Sequence, residues 1–274
     1  MPASTSFPSS GKALLTLEEH SQSPRIYILR FLGAHTPDNR LTRDFLTALN
    51  EALVHVWQQW DSIAGEEAGA QGAALITTGV VDESNKSNKF YSNGLDFEAA
   101  IADATFFDEC LFPAYERLLS FPIPTIASVN GHAFAAGFGL IAAHDYRVMS
   151  ANKGFAAMNE IDFGAQVPPG LHAALAAKIT NPALMRKIIL EGHRFAGPDL
   201  HAHHIVDVLS PAKGEQGGGA KTLETSIELA KKLAPKAAKD CYGSNKLVLY
   251  EPQLAILRKT NSDALDVLTT GSKL

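Results

Sequence analysis

Cysteine is scarce. Cys110 and Cys241 are the two in 274 residues and stand far apart without CxxC spacing, which argues against a disulfide scaffold and a thiolate zinc site. A reducing compartment is the default. Positive charge is not in excess either. With 24 basic against 29 acidic residues the formal charge is −5, whereas a nucleic-acid partner normally requires a basic face. Apolar runs of bilayer-crossing length are missing, so membrane insertion is not expected. The start, Met1-Pro2-Ala3-Ser4-Thr5-Ser6-Phe7-Pro8, lacks the basic and apolar regions of a secretory leader, and residues 1–10 read as a short disordered lead. What is present is an ordinary apolar content of 46%, enough for a substantial core.

Short apolar runs at Ala13 to Leu17 and Ile26 to Leu32, parted by a turn with Ser23 and Pro24, predict a pair of strands. Leu41, Phe45, Leu49 and Leu53 recur at helical spacing and continue towards Trp57 and Trp60. Ala73 to Thr78 is continuously apolar, as a buried strand is. Polar residues 82–89 predict a surface loop. There follow a helix over Phe106 to Leu119, a strand over Thr125 to Asn130, a short helix after Ala135 and a strand over Tyr146 to Met149. Such alternation implies a layered α/β fold. Helices are expected over Pro182 to Glu191 and Pro198 to Ile205. The clearest linker is Ser210 to Gly219, and amphipathic helices follow over Leu223 to Leu233 and Leu247 to Arg258.

The densest signal lies between Pro124 and Glu160, read with Ser92-Asn93-Gly94-Leu95-Asp96. Ile126-Ala127-Ser128-Val129-Asn130-Gly131-His132-Ala133 runs out of a buried strand into Phe134-Ala135-Ala136-Gly137-Phe138-Gly139-Leu140. Small residues there leave backbone amides uncovered at a helix start, where they attract a developing oxyanion. Gly137-Phe138-Gly139 is not a dinucleotide fingerprint, since the third glycine and a ribose-binding acid are missing. Glu160 sits among Phe155, Met158, Ile161 and Phe163, an apolar setting that would raise its pKa. His201-Ala202-His203-His204 reads as a solvated helical face rather than a metal site, and His132 and His144 as packed or satisfied histidines. Lys86 and Lys89 are either cations that meet the phosphates of a ligand or solvated loop charges. Phe97, Phe106, Phe107 and Phe112 form either core or an acyl channel.

These motifs, with Ala74 to Gly79, His144 to Val148 and Gly154 to Glu160, resemble the enoyl-CoA hydratase/isomerase (crotonase) family from about Ile26 to the last helices. The resemblance implies a crotonase-like spiral of ββα units over residues 11–195 and a C-terminal helical region over 196–274 that packs between subunits of a homotrimer or hexamer. It implies an acyl-CoA substrate and no cofactor beyond the CoA that the substrate carries. It maps the oxyanion donors onto the N–H groups of Leu95 and Ala136. CoA and substrate contacts fall on Lys89, Ser92, Asn93, Gly94, Leu95, Asp96 and Gly137, and an acyl pocket on Phe97, Phe155, Met158 and Phe163. Hydratases of the family use two glutamates. Here Gly139 takes the first place and Glu160 the second, which resembles the 3,2-enoyl-CoA isomerase branch. Leu95 and Ala135-Ala136 depart from the alanine and glycines common in the family.

Isomerisation of a 3-enoyl-CoA by a single glutamate is the leading reading. A hydratase-like enzyme of a specialised pathway and a catalytically silent CoA-binding member stay open at this point, because fold does not fix activity. The closing Ser272-Lys273-Leu274 is a peroxisomal address at a free C-terminus and implies an import receptor as partner and a peroxisomal matrix location.

Overall fold

The computed structural model describes residues 4–22, 24–211 and 218–259. The expected lead is ordered from its fourth residue. Strand β1 (Ser4–Phe7) pairs antiparallel with β2 (Leu15–Gln22), and buried Phe7 packs edge-on against His55 at 5.5 Å, which gives this segment an apolar anchor. β2 pairs antiparallel with β3 (Arg25–Phe31). Helix α1 (Arg43–Asp61) follows, its start capped by Thr42, whose hydroxyl accepts from the Phe45 N–H. Phe45, Leu49, Leu53, Val56 and Trp60 are the face it buries.

From β4 (Ala73–Thr78) the chain passes through β5 (Phe90–Ser92) and α2 (Phe97–Ala102) to α3 (Phe112–Leu119). The helix expected over Phe106 to Leu119 starts with a π-turn over Phe107–Leu111 before becoming regular. Next come β6 (Thr125–Val129), β7 (His132–Phe134), α4 (Ala136–Ala143), β8 (Tyr146–Ser150) and β9 (Phe155–Ala157). Helices α5 (Pro169–Ala176) and α6 (Pro182–Leu190) lead to β10 (Phe195–Ala196), α7 (Gly197–Ala202) and β11 (Val208–Ser210). The chain then forms α8 (Gly219–Leu233), α9 (Tyr242–Leu249) and α10 (Glu251–Leu257). The helix expected over Leu247 to Arg258 is thus broken at Tyr250, just before Pro252, which lacks the N–H a continuous helix would need.

The strands form a seven-stranded sheet ordered β1-β2-β3-β4-β6-β8-β11 and a four-stranded one ordered β10-β9-β7-β5. In the large sheet every pairing from β3 onward is parallel. Both faces of its centre are covered, which is why β4 and β6 are buried at every position and carry only apolar residues and small hydroxyl side chains. On one face Ile26, Ile28, Ala74, Ile76, Ile126 and Val148 meet Leu223 and Ala230 of α8. The opposite face carries the larger core, with α1, α3, α4 and α5. The small parallel run β5-β7-β9 brings the segments after Phe90, His132 and Phe155 side by side at one end of the molecule. That end holds the candidate site. Of the other sequence expectations, part of the 210–219 linker and the closing tripeptide 272–274 lie outside the described residues.

Candidate active site

The first donor loop follows β5. Gly94 has φ +79°, a conformation glycine adopts without steric cost. A Cβ there would also stand 2.7 Å from the Ala135 Cβ and 3.3 Å from the Ala136 nitrogen. The two loops are therefore in contact, and a side chain at 94 would push them apart. Gly137 does the same from the other side, since its Cβ would meet the Ser92 carbonyl at 2.6 Å. Beneath them Ser92 is buried and occupied with structure. Its hydroxyl donates to the Asn39 carbonyl at 2.8 Å and accepts from the Gly94 N–H at 3.2 Å. Leu95 is held from the side by a parallel bridge to Leu41, whose N–H donates to the Gly94 carbonyl at 2.8 Å.

The second loop is strained. Ala135 has φ +52° and ψ −127°, a combination an L-residue avoids at a cost of about 1–3 kcal/mol. It is clamped on both sides. The Ala135 N–H donates to the Ala157 carbonyl at 2.8 Å, and the Tyr115 hydroxyl donates to the Ala136 carbonyl at 2.6 Å. Neither the Leu95 nor the Ala136 N–H donates to an acceptor among the described residues.

Leu95 and Ala135 line a cavity of about 210 Å³ together with Glu160, Asn159, Leu171 and Phe107. Its mouth carries Arg40, Asn93, Gln166 and the edge-to-face pair Phe97–Phe163, whose ring centres are 5.6 Å apart. Glu160 opens a 3-10 turn that ends at Gly164 in the left-handed region, and its carbonyl accepts from the Ala165 N–H at 3.0 Å. The residue is 6% exposed, and its Oε2 is buried with no hydrogen-bond partner among the described residues. Burial pushes its carboxyl up to about 7, against the lowering effect of a hydrogen bond from its own backbone. A group so placed can both accept and return a proton near neutrality.

Several expected site residues stand elsewhere. Phe155 is 42% exposed and stacks on His132 at 5.7 Å on the outer face of the small sheet, because alternation along β9 turns it away from the buried Ala156. Met158 is fully buried in the main core. Neither lines the cavity, whereas Phe97 and Phe163 do. Lys89 is exposed and outside the lining, and so is Lys86. Asp96 is half-buried at the start of α2. The cation at the mouth is Arg40, which sequence reasoning missed. It pairs with Asp38 at 3.2 Å and reaches the Leu95 carbonyl at 3.5 Å, while Asp38 accepts from the Asn93 amide at 2.9 Å. The run Asp38-Asn39-Arg40 ahead of a helix was the available signal.

His144 is a core residue, with its ring bonded to the Thr77 hydroxyl and the Leu140 carbonyl, both at 2.8 Å, and burial holds it down at about 3. His132 accepts from the Phe155 N–H at 3.2 Å. His201, His203 and His204 are exposed, and no group of three metal-ligating side chains occurs among the described residues.

Gly139 on α4 packs beside Leu171, which lines the cavity. A Cβ there would stand 2.2 Å from Leu171 Cδ1 and 2.7 Å from the Tyr115 hydroxyl. The room a side chain at 139 would need is already filled by leucine and tyrosine.

Fold and cavity together define a class, an α/β fold in which the loops after β5 and β7 bring Leu95 and Ala135 into one cavity with the buried Glu160. The family model described as enoyl-CoA hydratase/isomerase matches residues 76–246, and the chain belongs to that family. It is 30% identical over 255 residues to a protein of Arabidopsis thaliana named enoyl-CoA delta isomerase 1, peroxisomal, covering 91% of this chain and 97% of that one. It is 34% identical over 205 residues to enoyl-CoA delta isomerase 2, peroxisomal, of the same plant, covering 70% and 80%. Among solved structures an enoyl-CoA hydratase from Mycobacterium marinum superposes with a TM-score of 0.72 at 20% identity, over 94% of this chain and 99% of that one, a likeness of fold.

Proposed function

We propose that this protein is an acyl-CoA double-bond isomerase that converts a 3-enoyl-CoA to the 2-trans-enoyl-CoA. One observation carries the reading: Glu160, buried and with one oxygen unpaired, is the lone carboxylate among the residues lining the cavity, and it shares that cavity with Leu95 and Ala135. In this mechanism the Glu160 carboxylate takes a proton from C2. The electron pair moves onto the thioester oxygen, where the Leu95 and Ala136 N–H groups stabilise it as a dienolate. The Glu160 carboxylic acid then returns the same proton to C4, which moves the double bond to C2–C3. A pKa near the working pH suits both halves of the shuttle.

Hydration would need a second group to hold and activate water. The filled space beside Gly139 speaks against one entering from α4. A silent CoA-binding role gives no reason to keep an unpaired carboxyl buried. On this reading Arg40 and Asn93 meet the CoA portion at the mouth, with Lys89 and Asp96 further out. Ser92, Gly94 and Gly137 keep the two loops in contact, and Phe97 and Phe163 border the acyl chain. The names of the relatives support enoyl-CoA isomerase chemistry and a peroxisomal location. On this reading the pathway is fatty acid metabolism, and Ser272-Lys273-Leu274 takes the protein to the peroxisomal matrix through an import receptor. Leu247, Val248 and Leu249 are exposed apolar residues on α9 and fit a subunit contact in a homotrimer or hexamer.

The deciding experiment offers 3-enoyl-CoA and 2-enoyl-CoA substrates separately in a spectroscopic assay. Turnover of the former without hydration of the latter is expected. Inertness on both with CoA binding retained would establish the silent reading instead.

A further inference from the structure

We propose that Tyr115 is a positioning residue: its hydroxyl, donated to the Ala136 carbonyl, locks the Ala135–Ala136 turn so that the Ala136 N–H is presented to the thioester oxygen when it becomes an enolate. The inference rests on the proposed isomerase reading.

Three observations meet at this residue. Tyr115 is fully buried on α3, 21 positions before Ala136, and spends its single proton on the Ala136 carbonyl at 2.6 Å. That carbonyl belongs to the first residue of α4, so the bond comes from outside the helix and fixes where the helix begins. Ala135 sits just before it at φ +52°, a conformation that holds only when its neighbours over-determine it. The Ala157 carbonyl fixes the amide side of the turn and Tyr115 the carbonyl side, so losing the hydroxyl removes half of the clamp. Finally, the same hydroxyl would lie 2.7 Å from a Cβ at Gly139, so the helix is bare of a side chain where the phenol passes. Tyr115 does not line the cavity, and it acts through the backbone rather than on substrate. Burial and the nearby Glu160 carboxylate both push its phenol well above the ordinary tyrosine range, so it remains a donor throughout the working pH range.

The test is Tyr115→Phe in the full-length protein, which removes one oxygen and keeps the ring. Two probes are titrated at fixed pH. Butanoyl-CoA reports ground-state binding, and acetoacetyl-CoA, followed by the absorbance of its enolate, reports the donor pair directly. We expect butanoyl-CoA affinity within about twofold of wild type. The enolate form should lose about tenfold to a hundredfold in affinity, with kcat for 3-enoyl-CoA falling in parallel and KM little changed, as for a group displaced by a fraction of an ångström to about 1 Å. Unchanged enolate binding and kcat would overturn the assignment. Equal losses for both probes would also overturn it, because a merely structural role lowers binding indiscriminately. If the wild-type protein binds the enolate, weakens on Tyr115→Phe and yet isomerises no 3-enoyl-CoA, the positioning role stands and the isomerase reading falls.

Discussion

Among the described residues two buried carboxylates, Asp145 ahead of β8 and Glu160 after β9, are treated oppositely. Asp145 precedes β8 at the end where β6 begins. It accepts from the Thr125 N–H at 2.9 Å and the Thr125 hydroxyl at 3.1 Å, and it pairs with the buried Lys246 at 2.8 Å. Burial pushes it up, but Lys246, Lys178 and the Thr125 bonds outweigh burial and hold it below the ordinary carboxylate range. Glu160, in the turn that follows β9 of the small sheet, has no such cation beside it and is pushed up to about 7. Burial alone therefore distinguishes nothing. A carboxyl surrounded by donors is a structural tie, and one left without them is poised for proton transfer.

Removing each charge should separate the two roles. Glu160→Gln keeps the shape but cannot accept the C2 proton, so turnover of a saturating 3-enoyl-CoA should fall about a hundredfold to ten-thousandfold with acyl-CoA binding nearly normal. Full turnover in that variant would remove Glu160 from the mechanism. By contrast, Lys246→Met leaves Asp145 charged and buried without its cation. Breaking a buried pair from one side costs about 3–5 kcal/mol, which denaturant titration will read as a lower midpoint at unchanged slope. The kcat of the fraction still folded should stay near wild type. A large loss of kcat there would mean that the two sites are coupled.

The contrast was half legible in the sequence. Ala73 to Thr78 was readable as a buried strand, because a strand covered on both faces carries no charge and alternates with no exposed polar face. Glu160 was legible as a candidate from its motif and its apolar neighbours. Its missing partner was not, because being unpaired depends on what the rest of the chain fails to bring near it. Phe155 and Met158 were misplaced for a related reason. Phe155 opens a three-residue strand and Met158 lies just beyond it, and no periodicity that short reveals which side chain faces out. Arg40 and Tyr115 come from distant segments, on the run before α1 and on α3; the polar run Asp38-Asn39-Arg40 was a faint signal for the first, and no local motif marks the second. Lys246 lies about a hundred residues from the aspartate it ties, so that pair too became visible only in three dimensions.

The poised carboxyl should also show in the pH dependence of catalysis. The base must be ionised in the free enzyme, so kcat/KM should rise about tenfold per pH unit on the acid side and level off above a pKa of about 7. A profile flat down to the ordinary carboxylate range, near pH 4–5, would show that Glu160 is solvated or paired in solution.

The smallest effect is the most discriminating, because it reads Glu160 without any substrate. Its folded pKa lies above the unfolded value, so the native state binds more protons than the unfolded state between about pH 4 and 7. Stability from this group is therefore greatest below the unfolded pKa and declines as pH rises through the folded pKa. Asp145, with its folded pKa depressed, runs the other way: its contribution is present above the unfolded pKa and is lost as pH falls. Glu160→Gln removes only the first dependence. The variant should accordingly melt about 2–8 °C above wild type at pH 8, where the buried charge is a burden, and the gap should close at pH 5. A gap of equal size at both pH values would mean that glutamine merely packs better. No gap at pH 8 would mean that the Glu160 carboxylate is compensated by contacts this structure does not contain, and the proton-shuttle reading would then lose its physical basis.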